Sequence, residues 1–521
     1  MRRSWAAAIT AAVAAIYLLR LDRAAGLIVD DAWYILLARA LAQGDGFKLI
    51  SSATAQILPA VPPGFPMLLA PVFLIQPLFP DNLMLLKAIS VGAMFGVGAV
   101  FYRYLVRERG SAATQAAGVA VVTVLTPAFV FLATSTVMAE CVFTLAQLVT
   151  IVLLERTRRD APAQWRGAAY AGVMAAAAML TRTAGLAVVV AGALYLIKEK
   201  TWSRAVAFVA AAMLCLMPWL TYSAMHAPTA AERSDHGGPI AFAYADLLSM
   251  RRPGDPAAGR ASAGDLPARV ARNLVNVFGR DLGGVIVPVF FRGPNESGQE
   301  VVSLGGGAGL TAASMGSAPA TVAITFGLGA IVLVGFAVAL RRRVTSAELL
   351  VVVSIAMVVL TAGRTFRYVL PLAPFVWLYF FDGLRLITQR RDAVVRVAML
   401  VLVVLQLQDH LQYIVIKARA TPPPEWIADA NEVDDLFTWM NRNLIDPGAV
   451  VTTNPGLVFL RTGRKTLVSE YPARNWPRWK ASGVRYIVSV RTIDPPPAVL
   501  GFKTLYESPR RSLFVLEMSD Q

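Results

Sequence analysis

PATVAITFGLGAIVLVGFAVAL, residues 319–340, runs for 22 positions without a charged side chain and stops against Arg341, Arg342 and Arg343. As a helix rising 1.5 Å per residue it is about 33 Å long, enough to cross a hydrocarbon core roughly 30 Å thick. The segment decides the class: the chain reads as a polytopic α-helical membrane protein.

Working outward, the whole chain agrees. Of 521 residues, 56% are hydrophobic and only 16% charged, and the mean hydropathy is +0.56; all three lie outside soluble-globular usage. Further spans are predicted near 4–21, 84–104, 113–133, 138–154, 167–181, 184–197, 205–222, 346–362, 368–386 and 396–416, so the expectation is about eleven transmembrane helices. The opening MRRSW and the apolar run to Leu21 read as an uncleaved first helix rather than a removable leader.

The net charge of +16 does not point to nucleic acid. A nucleic-acid binder gathers Lys and Arg on one soluble face, whereas here they punctuate apolar runs. Alternate loops carry Arg2 and Arg3; Arg103, Arg107 and Arg109; Arg156, Arg158, Arg159 and Arg166; Lys198, Lys200 and Arg204; Arg341 to Arg343; and Arg385, Arg390, Arg391 and Arg396. Basic loops are retained in the cytoplasm, which puts the N-terminus inside and the C-terminus outside.

Three long segments then share the outer face: about 22–83, 223–318 and 417–521. In the first, DDAWYILLARALAQGDG predicts a short helix lying in the interface plane, with Trp33, Leu36, Leu37, Ala40 and Leu41 as its apolar stripe. PPGFPMLLAPVFLI (62–75) predicts a second interfacial or re-entrant helix. The 223–318 loop is rich in Gly and Pro, with GGGAG at 305–309. After TPPPEW (421–426) charge rises and strand-like runs alternate with helix-like ones, so 417–521 predicts a C-terminal α/β domain and 1–416 a membrane domain.

Cys141 and Cys215 lie inside apolar stretches and read as core residues. His226, His236 and His410 form no metal-binding spacing. Gln406, Gln408, Asp409 and His410 make the last span polar toward its outer end, which predicts an early helix exit. Trp5, Trp33 and Trp219 read as interface anchors.

The remaining charged residues are more pointed. Asp30-Asp31 follows the first span, with Tyr34 one helical turn on and PPGFP beyond. STVMAE ends in Glu140 at the start of the fourth span, MLTRTAGL places Arg182 at a helix break, and GRTFRYVLPLAP brings Arg364, Arg367 and Tyr368 into the tenth span. Ionisable groups at bilayer depth are costly and mark functional sites, and the derived topology puts all of these on the outer face. In this pattern, and in WMNRNL…AVVTTNPGLVFLRTGRK near the C-terminus, the chain resembles the GT-C family of polyprenyl-phosphate-sugar-dependent glycosyltransferases. That family includes protein O-mannosyltransferases and lipid A aminoarabinose transferases.

The resemblance implies transfer of a sugar from a polyprenyl-phosphate donor to a lipid, glycan or protein acceptor, with inversion, at the outer face of the inner (plasma) membrane. Such a reaction needs a base for the acceptor hydroxyl and positive charge on the leaving phosphate. Asp31, or its neighbour Asp30, is expected as the base; Asp31 leads because it sits beside the helical face of Tyr34. A free aspartate has a pKa of about 3.9, so it would orient the hydroxyl and take its proton late. The competing reading of the pair is helix capping, which one of the two is expected to do.

Glu140 is expected to position the acceptor or a metal, against a plain role at a helix start. Arg182, Arg364 and Arg367 are expected to grip the carrier phosphate, against snorkelling to lipid headgroups, with Tyr34 and Tyr368 in the same site. No cofactor is fixed by the sequence, and a divalent metal stays open. The runner-up is a transporter or flippase of lipid-linked sugars, which would carry charges at mid-membrane and repeated halves.

Overall fold

A computed structural model describes residues 2–26, 30–52, 61–158, 165–227, 248–251, 259–287, 292–294, 300–302, 318–362, 365–418, 430–446, 448–452, 454–468, 479, 484–490, 502–509 and 513–518. Helices dominate: α1 Arg2–Arg20, α2 Asp30–Gln43, α3 Gly64–Ile75, α4 Leu83–Arg107, α5 Ala113–Val124, α6 Pro127–Thr134, α7 Glu140–Thr157, α8 Arg166–Thr181, α9 Leu186–Lys198 and α10 Trp202–Met225 come first. Long helices follow over Ala318–Arg342, Ser346–Leu360, Ala373–Ile387 and Asp392–Ala418.

A helix lies at each segment predicted to span. Among the described residues, five helices are long and apolar enough to cross a membrane unaided: Leu83–Arg107, Trp202–Met225, Ala323–Arg342, Phe366–Ile387 and Asp392–Val415. The pair α5 and α6, bent by 54°, makes a sixth if counted as one span. Others are shorter apolar helices, among them Ser4–Arg20, Thr183–Lys198 and Ser346–Leu360, and α7 is more polar because it faces protein. In α7, Glu140, Thr144, Gln147, Thr150 and Glu155 are all buried, and Thr144 and Thr150 return their hydroxyls to the carbonyls of Glu140 and Ala146.

Close helix crossings depend on small residues, as expected where lipid supplies no hydrophobic drive between helices. A methyl group added at Gly335 or Gly383 would meet backbone of the facing helix, the carbonyl oxygens of Tyr379 and Ile331 respectively. That places 318–342 and 373–387 in backbone contact.

The bend between α5 and α6 corrects the expectation of an early exit in the last span. The helix Asp392–Ala418 continues well past His410, and Gln406, Asp409 and His410 are buried while Gln408 is exposed. A helix break at depth frees carbonyls that must find donors. Gln406 Nε2 donates to the Val122 carbonyl at 3.1 Å, Tyr17 OH to that of Val124 at 2.6 Å, and His410 Nε2 lies 2.9 Å from that of Leu125. Gln406 and His410 of the last span close the bend.

A second correction concerns α2. Every residue from Asp31 to Ala38 is buried, including Trp33, which is therefore a core residue and no interface anchor. The helix lacks a wet face because α3 covers one side and Pro455–Thr462 another. Trp5 is exposed, and Trp219 stacks on Tyr222.

The 223–318 stretch, of which 305–309 lies outside the described residues, contains structure that its composition hid. An amphipathic helix Asp265–Asn276 runs into a π-helical turn Val277–Asp281 and a short helix Leu282–Ile286. Asn273 Nδ2 donates to the carbonyls of Val359 and Thr361 at 3.0 and 2.8 Å, tying it to the end of helix Ser346–Leu360. Strands β1 Arg292–Pro294 and β2 Glu300–Val302 pair antiparallel.

Beyond the last long helix, strands β3 Val450–Thr452, β4 Thr466–Val468, β5 Tyr486–Ser489, β6 Phe502–Glu507 and β7 Phe514–Met518 form one sheet in the order β4-β3-β5-β7-β6. β3 runs parallel to β4 and β5, while β7 pairs antiparallel with β5 and β6. Val450, Val488 and Val515 pack against Leu436, Phe437 and Met440 of helix Ala430–Asn443 in a hydrophobic core of their own.

Candidate functional site: a carboxylate–arginine cluster

Four helix junctions bring the charged residues together. Asp30 opens α2, Glu140 opens α7, and Arg182 sits in extended conformation just after α8, at the break before the 3₁₀ turn Thr183–Gly185. Arg367 lies in the short helix Phe366–Val369, which passes through a 3₁₀ turn into Ala373–Ile387. The break at Arg182 is held by close approach: a Cβ on Gly185 would lie 2.4 Å from Met179 backbone, and one on Gly64 would lie 2.8 Å from the Leu180 carbonyl.

Glu140 is the hub. Its Oε1 accepts from Arg367 Nε at 2.8 Å and pairs with Arg182 Nη1 at 2.6 Å, and its side chain is fully buried. Arg367 then extends Nη1 to Asp30 Oδ2 at 2.9 Å. Charges balance within this chain of two acids and two guanidinium groups, as burial demands. Two groups stay unspent among the described residues: Arg367 Nη2, and Glu140 Oε2, which is buried without a hydrogen-bond partner.

The adjacent aspartates differ sharply. Asp31 is wholly buried, and its carboxylate accepts from the Gly26 N–H at 2.7 Å and from the Ala32 N–H at 3.0 Å. Asp30 keeps 37% of its side chain exposed. Tyr34 is buried edge-on against Phe65, with ring centroids 5.1 Å apart. Tyr368 lies on the other side of the cluster, its ring centroid 6.0 Å from the Arg182 guanidinium carbon. Arg364 lies outside the described residues. Among those described, no three His, Cys, Asp or Glu side chains converge to hold a metal ion.

Three supports were not anticipated from the sequence. Lys87, fully buried in α4, donates to the Asp22 carbonyl, the Asp22 carboxylate and the Thr134 carbonyl at 2.7, 2.9 and 2.8 Å, joining the ends of α1, α4 and α6. A lone lysine inside an apolar span was the available signal. Asp281, buried, accepts from the Thr365 hydroxyl and so anchors the turn that carries Arg367. Asn454 donates to the Gly26 carbonyl while its Oδ1 caps the helix Pro455–Thr462. Gly26 is thereby held at both its backbone groups, its N–H by Asp31 and its carbonyl by the C-terminal Asn454.

Comparison with solved structures supplies the context. ArnT from Cupriavidus metallidurans in the apo state superposes with a TM-score of 0.61 at 11% identity, covering 99% of this chain and 98% of that one. The same protein bound to undecaprenyl phosphate gives 0.57 at 10% identity over the same shares. The fold is GT-C-like. The archaeal oligosaccharyltransferase AglB from Archaeoglobus fulgidus, in complex with an inhibitory peptide and a dolichol-phosphate, shares the GT-C-like arrangement with a TM-score of 0.52 at 14% identity, covering 98% of this chain and 74% of that chain. No family model and no curated protein sequence matches the chain.

Proposed function

We propose that the chain is an integral-membrane glycosyltransferase that moves a sugar from a polyprenyl-phosphate carrier to an acceptor hydroxyl, with inversion, at the outer face of the inner membrane. The observation that carries this reading is the chain Asp30–Arg367–Glu140–Arg182 at one end of the bundle. It sets one accessible carboxylate beside clamped guanidinium groups. The neighbours' undecaprenyl and dolichol phosphate ligands support a lipid-phosphate donor.

In this mechanism the acceptor oxygen attacks the anomeric carbon and its proton passes to Asp30. The bond from that carbon to the phosphate oxygen breaks, and the electron pair leaves with the phosphate. The base is placed at Asp30 rather than Asp31, because both Asp31 oxygens are engaged by backbone N–H groups and no surface remains for a substrate. Asp31 instead fastens the Gly26 amide to the first turn of α2. Arg367, through its spare Nη2, and Arg182 neutralise the departing phosphate, with Arg364 as a third cation and Tyr34 and Tyr368 bordering the donor. Glu140 orients both arginines, and its unspent Oε2 accepts a hydroxyl. The reading also takes residues 1–416 as a membrane domain of eleven spans with the N-terminus cytoplasmic, and 417–521 as an outer α/β domain.

The test uses labelled polyprenyl-phosphate sugar, purified protein in liposomes and cell-envelope extract as acceptor source, reading release of the lipid phosphate. Asp30→Asn is expected to slow release by about 10²–10⁴-fold, the usual share of a general base, with unchanged melting temperature. Asp31→Asn is expected to lower stability by about 1–3 kcal/mol through a lost buried acceptor. A wild-type rate in Asp30→Asn overturns the base assignment.

A further inference from the structure

At the far end of α7 lies a second polar site. Glu155 is fifteen positions beyond Glu140 on that helix, which at 1.5 Å per residue sets it about 22 Å from the carboxylate–arginine cluster. There the ends of α4, α7 and Ala318–Arg342 border an open-sided cavity of about 580 Å³, within the range of ligand pockets. Its walls carry Arg109, Arg158, Arg342 and Arg343 against two acids, Glu108 and Glu155.

Two of the four arginines are matched by acids outside the wall. Arg109 pairs with Glu348 at 3.0 Å and Arg343 with Glu199 at 3.2 Å. Glu155 turns its carboxylate to the Ser346 N–H and hydroxyl at 2.9 and 2.7 Å. Arg158 and Arg342 have no carboxylate within ion-pair distance among the described residues. The buried Tyr104 hydroxyl stands in the same wall beside the Thr345 hydroxyl.

Arg158 and Arg342 line one cavity, are exposed and have no carboxylate within ion-pair distance among the described residues, so their guanidinium groups are free to recognise phosphate through paired N–H donors. Basic pockets between spanning helices hold phospholipid headgroups in the same way. We infer that this cavity binds a phosphate group, brought either by the headgroup of an anionic phospholipid or by a free phosphate ion. The site is separate from the transfer cluster and does not depend on the transfer reading.

Native mass spectrometry of the full-length protein in detergent, titrated with dioleoylphosphatidylglycerol or dioleoylphosphatidylcholine, counts bound lipid; calorimetric titration with inorganic phosphate reads the free ion. Phosphatidylglycerol or phosphate is expected to bind the wild type, with affinity falling at least tenfold in the double variant Arg158→Gln, Arg342→Gln. Both positions are exposed, so the melting temperature is expected to hold. Retained binding in Arg390→Gln, Arg391→Gln, two exposed arginines at the same end of the bundle, would show that the cavity and not net charge is sensed. Loss confined to phosphatidylglycerol identifies the lipid, and loss confined to phosphate identifies the ion. Neither ligand binding the wild type, or the first double variant binding like the wild type, overturns the site.

Discussion

Glu140 is a carboxylate with no exposed surface holding two guanidinium groups, and that arrangement makes it the most sensitive residue of the cluster. Removing its charge leaves Arg182 buried opposite a neutral amide, and breaking one side of a buried pair costs about 3–5 kcal/mol. Glu140→Gln is therefore expected to lower the melting temperature in detergent and to abolish transfer together, whereas Glu140→Asp keeps the charge and recovers part of both. An unchanged melting temperature in Glu140→Gln would remove Glu140 from the hub. The sequence displayed Asp30, Glu140, Arg182 and Arg367 as costly charges beside apolar runs. It could not display their pairing, because they come from four separate junctions and the longest link, Asp30 to Arg367, spans 337 positions. Nor could it separate Asp30 from Asp31. Adjacent positions on a helix differ by about 100° of rotation, and only the surrounding elements decide which of the two is covered.

Helix Pro455–Thr462 seats on α2 closely enough that a methyl group on Gly456 would lie 2.7 Å from Ala32 Cβ. Asn454 both caps this helix and binds the Gly26 carbonyl, one peptide away from the amide that Asp31 holds. Gly26 itself adopts φ +79°, a backbone conformation that favours glycine. Asn454→Ala is expected to cost about 1 kcal/mol as a lost cap and to slow transfer several-fold through misplacement of α2, while a fluorescent donor analogue binds as before. Equal loss of donor affinity would count against a positioning role. The apolar periodicity of α2 predicted a one-sided helix; what it lacked was any sign that two partners from opposite ends of the chain cover both sides. The last span misled similarly, since Gln406 and His410 answer carbonyls freed by a bend in α5–α6.

For the whole molecule, the structure fixes which segments share an end. Residue 110 follows α4 at the arginine-rich end, beside Arg109. Met250 accepts from Arg269, whose helix is tied to Thr361 near the turn bearing Arg367, and helix Pro455–Thr462 seats on α2. Reporter fusions after residues 250 and 430 are expected on one side of the membrane and a fusion after 110 on the other; from loop charge, the fusion after 110 is the one expected to report cytoplasmic. A fusion at 250 reporting with 110 would break the topology.

Hydropathy and basic-loop spacing, read along the chain, determined the membrane class, the position of each long helix, the alternating pattern after residue 430 and the short list of charged candidates. These are local properties, set by solvent and by charge within one turn or loop. The tertiary structure alone decided which acid stays open, which arginines Glu140 clamps, and that α2 and the polar end of the last span are interior. Those outcomes depend on contacts between distant segments, and a buried polar group is stable only against the partner that packing brings to it.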